Sequence, residues 1–250
     1  MLGKLLKYEI KATARTFLPL YLAILLAAVG VRFVLAAGFI PVVAILGFVL
    51  FGLFVALGVL TIVIIVQRFQ KNLLSTEGYL MFTLPVTPAA LVGSKLLTSL
   101  LWAVLTCVVT VVCFFVIVID GAVIQEFGVM TNQLWQVLQN GFHLEAGKAV
   151  SIIIGMILSM FCSYMTFILN IYASLSVGQR FNKSRTAAAF VTFMLVYIVY
   201  GILSYFLGEY VFANMSFMTW MWAAVGVELV VSGALFAFAN FNLSRHLNLE

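Results

Sequence analysis

The sequence predicts an all-α integral membrane protein with about six transmembrane helices, and three observations carry that expectation. Of 250 residues, 65% are hydrophobic and only 8% are charged, against roughly 45–50% apolar and about 25% charged in soluble domains. No soluble core can hide that much apolar surface, so lipid must be the solvent for most of a single membrane domain. The apolar residues also gather into stretches of bilayer length, and the cations gather at the ends of those stretches.

A bilayer core of about 30 Å requires roughly 20 helical residues at about 1.5 Å each. The stretches that qualify are 17–37, 42–66, 96–119, 151–177, 187–207 and 218–241. The first two are separated only by Gly38 to Pro41, where glycine and proline supply the break of a helical hairpin. Ahead of them, over residues 1–16, Lys4, Lys7, Lys11 and Arg15 recur at helical spacing on one face, while Leu2, Leu5, Leu6 and Ile10 gather on the other. That pattern predicts a separate interfacial amphipathic helix lying on the cytosolic leaflet, either a lipid anchor or an element packed beside a cytosolic partner. Glu9 falls toward its apolar side, which lipid contact alone does not explain. The segment lacks the short apolar region and small-residue cleavage site of a signal peptide, so none is expected. No internal repeat of the kind secondary carriers use is visible.

Charge placement sets the expected orientation. With the N-terminus in the cytosol, the cytosolic ends carry Lys4, Lys7, Lys11, Arg15, Arg68, Lys71, Lys95, Arg180, Lys183, Arg185 and Arg245, the opposite side carries only Lys148, and Arg32 falls within the first span. An asymmetry this steep predicts two cytosolic termini. The outer side collects Asp120, Glu126, Glu145 and Glu209, with Tyr210, Trp220 and Trp222 suited to an interfacial aromatic belt. The net charge of +5 is therefore read as topology, and no nucleic-acid partner is expected. Lipid is the expected surrounding.

The residue types that carry catalysis or metal binding are scattered. Cys107, Cys113 and Cys162 lie in apolar runs without a C-x-x-C pair and read as buried reduced thiols. His143 and His246 each stand without a second ligand at metal spacing. There is no Walker A sequence: the nearest run, Gly141 to Ala149, is one residue too long and lacks the hydroxyl that would reach magnesium. No paired aspartates, H-E-x-x-H or Ser/His constellation falls in the spans. No catalytic residue, no metal site and no cofactor in this chain are therefore expected.

Polar residues inside spans are expensive in lipid, so they mark packing or function. In the fourth span Ser151, Gly155, Ser159 and Ser163 repeat every fourth residue, and Thr166, Asn170, Ser174 and Gly178 continue the stripe. One reading is a helix-packing seam of the small-xxx-small kind. The other is the wall of a translocation path over Ser159, Ser163, Thr166, Asn170 and Ser174, with Asn170 its most polar member. Arg32 and Glu228 are the clear intramembrane charges, read either as a structural pair, since a long arginine can reach toward that carboxylate, or with Arg32 snorkelling outward, substrate contact being the alternative. The outer loop 120–148 interleaves Gln125, Asn132, Gln133, Gln136, Gln139 and Asn140 with Leu134, Trp135, Val137 and Leu138 at helical spacing. It predicts a short helix on the outer leaflet, an anchor or a cap over the exit of a pathway.

The cytosolic loop 67–95 is the most informative stretch. It places large apolar residues where water is expected, in the run Ser75-Thr76-Glu77-Gly78-Tyr79-Leu80-Met81-Phe82-Thr83-Leu84-Pro85-Val86-Thr87-Pro88. An apolar surface beside the membrane marks a docking site or residues dipping into the lipid interface. Thr87 and Pro88 form an N-cap and N1 pair, so a helix should start there and run past Lys95 into the third span.

The run from Glu77 to Pro88, followed by Ser94-Lys95-Leu96-Leu97, resembles the loop between spans two and three of bacterial ABC-type-two exporter permeases. Lys7-Tyr8-Glu9-Ile10-Lys11 and the six-span plan are consistent with that family over essentially the full length. The resemblance implies a short cytosolic coupling helix, carried by Thr76, Glu77, Gly78, Tyr79, Leu80 and Met81, that sits in a cleft of a separate ATPase. It further implies two copies of that ATPase subunit, which binds ATP and Mg, and a second membrane subunit completing a homo- or heterodimer in the bacterial cell membrane. The alternative is a secondary carrier or channel that needs no ATPase.

Overall fold

The computed structural model describes residues 2–74, 87–118, 125–126, 128–133, 135–136, 146–181 and 184–245. Six helices among them are long and apolar enough to cross a membrane, and no described residue is in a strand. In chain order, α1 spans Leu2–Ala36, α2 Ile40–Leu73, α3 Pro88–Val118, α4 Ala146–Gly178, α5 Arg185–Phe206 and α6 Phe217–Arg245. A π-helical turn, Leu207–Val211, extends α5. Each predicted apolar stretch falls on one of these helices, so the chain is an all-α, multi-pass membrane protein.

The helices run longer than their apolar stretches, chiefly at the cation-rich ends. α1 has 35 residues, about 52 Å at the usual rise, against a hydrocarbon core of about 30 Å. The interfacial helix expected over residues 1–16 is not a separate element, because α1 continues without a break from Leu2 through Pro19 to Ala36. A proline inside a helix removes one backbone bond, and here the turns ahead of it are held by side chains. Trp102 Nε1 donates to Thr13 Oγ1 over 2.7 Å, and the Phe17 ring stacks on Trp102 with centroids 4.6 Å apart. Lys4, Lys7, Lys11 and Arg15 are exposed as their spacing predicts, while Leu5 and Ile10 turn inward against the cores of this same chain. The apolar face is thus occupied internally, and Glu9 shares its half-buried position.

Both helix boundaries predicted from turn chemistry are present. Gly38 has φ of 74°, the left-handed conformation that a side chain disfavours. It closes α1 with Gly38 N donating to Leu35 O and Phe39 N to Val34 O, the paired bonds of a Schellman end. At α3, Ala90 N donates to Thr87 O at 2.9 Å and to Thr87 Oγ1 at 3.3 Å, so Thr87 caps a helix whose first residue is Pro88. That helix carries Lys95, which is buried, to the third span without interruption.

The chain divides into two compact units. One comprises Met1–Leu6, Ile65–Ser99 and Val150–Glu250, the other Lys7–Ile64 and Leu100–Ala149. The first is built around Phe69, Leu73, Val92, Ile168, Leu169 and Tyr172, with Phe69 and Tyr172 stacked at 4.4 Å. The second is built around Phe17, Tyr21, Ile24, Ala28, Leu57, Trp102 and Cys113. Cys113 and Cys162 are buried, as expected, but Cys107 lies on an exposed face of α3, where helix periodicity turns it away from the core that holds Cys113.

Candidate functional site

The polar stripe of α4 meets α5 and α6 within the first unit, and its members divide by role. Gly155 lies where Met221 of α6 crosses so closely that a Cβ would collide with the methionine side chain. Trp222 Nε1 donates to Ser151 Oγ at 3.2 Å. At the other end, a Cβ on Gly178 would stand 2.6 Å from the carbonyl oxygen of Arg185 and 2.9 Å from Ala189 Cβ, so only glycine lets the α4 end approach the α5 start. The stripe therefore is a packing seam at both ends, as small residues in membrane helices permit.

Between those ends the seam opens into a cavity of about 260 Å³ lined by Ser163, Thr166, Phe167 and Asn170 of α4, Val196, Tyr197 and Tyr200 of α5, and Glu228, Val231 and Leu235 of α6. Ser163 and Glu228 lie near the middle of their apolar stretches, roughly 15–20 Å of helix from the ends. Three of the five stripe residues predicted to line a path, Ser163, Thr166 and Asn170, do line this cavity. Ser159 and Ser174 do not: Ser159 Oγ donates to the Met156 carbonyl of its own helix at 2.9 Å, and Ser174, buried, donates to Asn170 Oδ1 at 3.3 Å.

The hydrogen bonds leave an uneven set of free groups. Asn170 is 4% exposed; its Nδ2 donates to the Phe193 carbonyl at 3.4 Å and its Oδ1 receives Ser174, so the amide is fixed at both ends. Thr166 Oγ1 lies 2.7 Å from Ser232 Oγ, joining α4 to α6, and donates to the Cys162 carbonyl at 3.0 Å. Ser163 Oγ donates to Glu228 Oε1. Glu228 Oε2 is shielded and meets no hydrogen-bond donor. A carboxylate half satisfied at this depth is costly in hydrocarbon, so it is the chemically open group of the cavity. Arg32 belongs to the other unit.

Sequence reasoning missed two features of this unit. Arg180 Nη2 donates to Asn242 Oδ1 at 2.5 Å and Asn242 Nδ2 to Ser176 Oγ at 3.2 Å, tying the cation-rich ends of α4 and α6. The Asn240-Phe241-Asn242 pattern at the end of an apolar helix was the available signal. A second pocket, of about 420 Å³, lies at that end among Gln67, Gln70, Lys71, Gln179 and Arg185. Thr76, Glu77, Gly78, Tyr79, Leu80 and Met81, with the coupling helix expected there, lie outside the described residues, as do His143 and His246. In the outer loop, the described residues 125–126, 128–133 and 135–136 are helical. Leu134, Val137 and Leu138 also fall outside them. Comparison with family models, with curated proteins and with solved structures gives no match to this chain.

Proposed function

We propose that this chain is the membrane-spanning permease subunit of an ATP-driven exporter, paired with a second membrane subunit and with two copies of a cytosolic ATP-binding-cassette ATPase. The observation that carries the reading is the junction at Pro88. The run from Glu77 to Pro88, which resembles the coupling loop of ABC-type-two permeases, feeds directly into a 31-residue helix. Thr87 caps that helix, so a push delivered at Thr87 would enter the membrane-spanning helix at its first turn. In this scheme ATP and Mg bind the partner, its closure drives the loop, and this chain does no chemistry. The cavity at Glu228 supports the reading as a stretch of the translocation path. The proposed setting is the bacterial cell membrane, which the resemblance implies, with both termini cytosolic, from the cation asymmetry of the sequence.

Co-purification in mild detergent tests the proposal. An ATPase is expected to accompany the wild-type chain, and Tyr79→Ala or Glu77→Ala to weaken its association or its stimulation by about tenfold, the order expected on losing one anchor of a docking site. If no ATPase associates and neither variant changes transport, the reading fails. A second reading, an ion-coupled carrier, is favoured by one observation, the mid-depth carboxylate of Glu228. Transport in ATP-free vesicles under an imposed ion gradient would select it.

A further inference from the structure

We propose that the cavity at Glu228 binds the ammonium group of an amphipathic molecule whose apolar body extends out past Tyr197. The identity of that molecule as transported cargo rests on the permease reading, but the binding site stands on the cavity itself.

The inference starts from which groups in the cavity wall still have bonding capacity. The Asn170 amide is engaged at both ends, and Thr166 is bound to Ser232 and to its own helix. What remains is an acceptor, Glu228 Oε2, shielded and without a donor, in a lining that also holds Phe167 of α4 and Tyr197 and Tyr200 of α5. An anionic acceptor in an aromatic lining selects a cation: the carboxylate supplies charge and ring quadrupoles add attraction. The lining contains no lysine, arginine or histidine to compensate the carboxylate from within.

The same inventory excludes other occupants. A metal ion needs several His, Cys, Asp or Glu ligands, and among the described residues no group of three or more gathers. The site offers one carboxylate with hydroxyls, which suits an organic N–H donor better than a dehydrated metal. An anion would meet Glu228. Size decides how much of the ligand enters: about 260 Å³ is below the roughly 300–1,000 Å³ of pockets that swallow a drug-sized molecule. The head fits and the body must leave, and Tyr197, 61% exposed, stands at the open rim. Phe193 stacks on Tyr197 with ring centroids 6.5 Å apart, carrying an aromatic surface on from that residue.

An ammonium on an apolar body occurs both in an aminophospholipid headgroup and in a free cationic amphiphile, and the test separates them. The purified chain, without any ATPase, is placed in nanodiscs of phosphatidylglycerol alone. It is titrated with a twelve-carbon primary amine bearing a dansyl group at its far end, and with the uncharged N-acetyl form of the same probe. The amine is expected to bind about tenfold tighter than the acetamide, the scale of one charge-assisted bond. Glu228→Gln is expected to abolish that preference by lowering amine affinity to that of the acetamide. Tyr197→Leu, at the exposed rim, should lower amine affinity about threefold, as loss of one cation–π contact would, so the claim stays testable if the glutamate variant does not fold. Equal binding of the two probes to wild type, or a preference surviving in Glu228→Gln, overturns the proposal. Both outcomes of repeating the titration in phosphatidylethanolamine nanodiscs support it: displacement of the probe identifies the headgroup as the source, and persistence a free amphiphile. Because no ATPase is present, failure here leaves the exporter reading to its co-purification test, and failure there leaves this site standing.

Discussion

Two regions of this protein solve the problem of polar groups in lipid in opposite ways. In the Lys7–Ile64 and Leu100–Ala149 unit, each polar atom of the aromatic cluster is tied off. Trp102 Nε1 bonds Thr13, Thr13 bonds the Glu9 carbonyl at 2.8 Å, and Tyr21 Oη lies 2.7 Å from Thr106 Oγ1 and 3.2 Å from the Trp102 carbonyl. The rings of Phe17, Tyr21 and Trp102 fill the space between. In the cavity of the other unit, one shielded carboxylate oxygen is left without a partner. A satisfied network rigidifies a structure, whereas an unsatisfied buried group costs stability and persists where a ligand can complete it. The first region reads as a fastening, the second as a site.

Four substitutions can break or sharpen that contrast, all measured by unfolding in mixed micelles. The largest effect is expected for Trp102→Ala, which removes a stacked ring and the Thr13 bond together. A loss of about 3–5 kcal/mol is expected, the usual range for deleting a buried aromatic. A loss below about 1 kcal/mol would mean that the cluster fastens nothing. Next comes Gly178→Ala, in the cavity's own unit, where the added methyl must push on the backbone of Arg185. A cost of about 1–3 kcal/mol is expected from overpacking. Gly155→Ala should cost less, because the flexible Met221 can move aside. The smallest effect is expected for Glu228→Gln, within about 1 kcal/mol of wild type, since glutamine keeps an acceptor for Ser163 and removes a charge from hydrocarbon. If it unfolds the protein as Trp102→Ala does, the carboxylate is a keystone of the fold and the contrast collapses.

Much of the fold was legible because its signals are local. A run of apolar residues is a span wherever it packs, Gly38 turns the chain by its own backbone freedom, and Thr87 caps α3 through residues three positions away. The stripe on α4 was legible as a stripe, but not which members open to a cavity. That depends on what α5 and α6 bring opposite: Ser163 meets Glu228 from 65 positions away, and Thr166 meets Ser232 from 66. The opening segment was misdivided for a related reason. Its basic face predicts an interfacial helix, but the bonds that hold it in line with the span come from Trp102, 89 positions from Thr13.

From its own order of residues the chain determined that it lives in lipid, how many times it crosses, and where its helices begin and turn, because solvent transfer and backbone conformation are decided within a few neighbours. Only tertiary structure decided that α1 is one helix, that Trp102 is a fastening, and that Glu228 faces a cavity with a carboxylate oxygen to spare. Hydrogen bonds between helices depend on which faces meet, and no local pattern records that meeting.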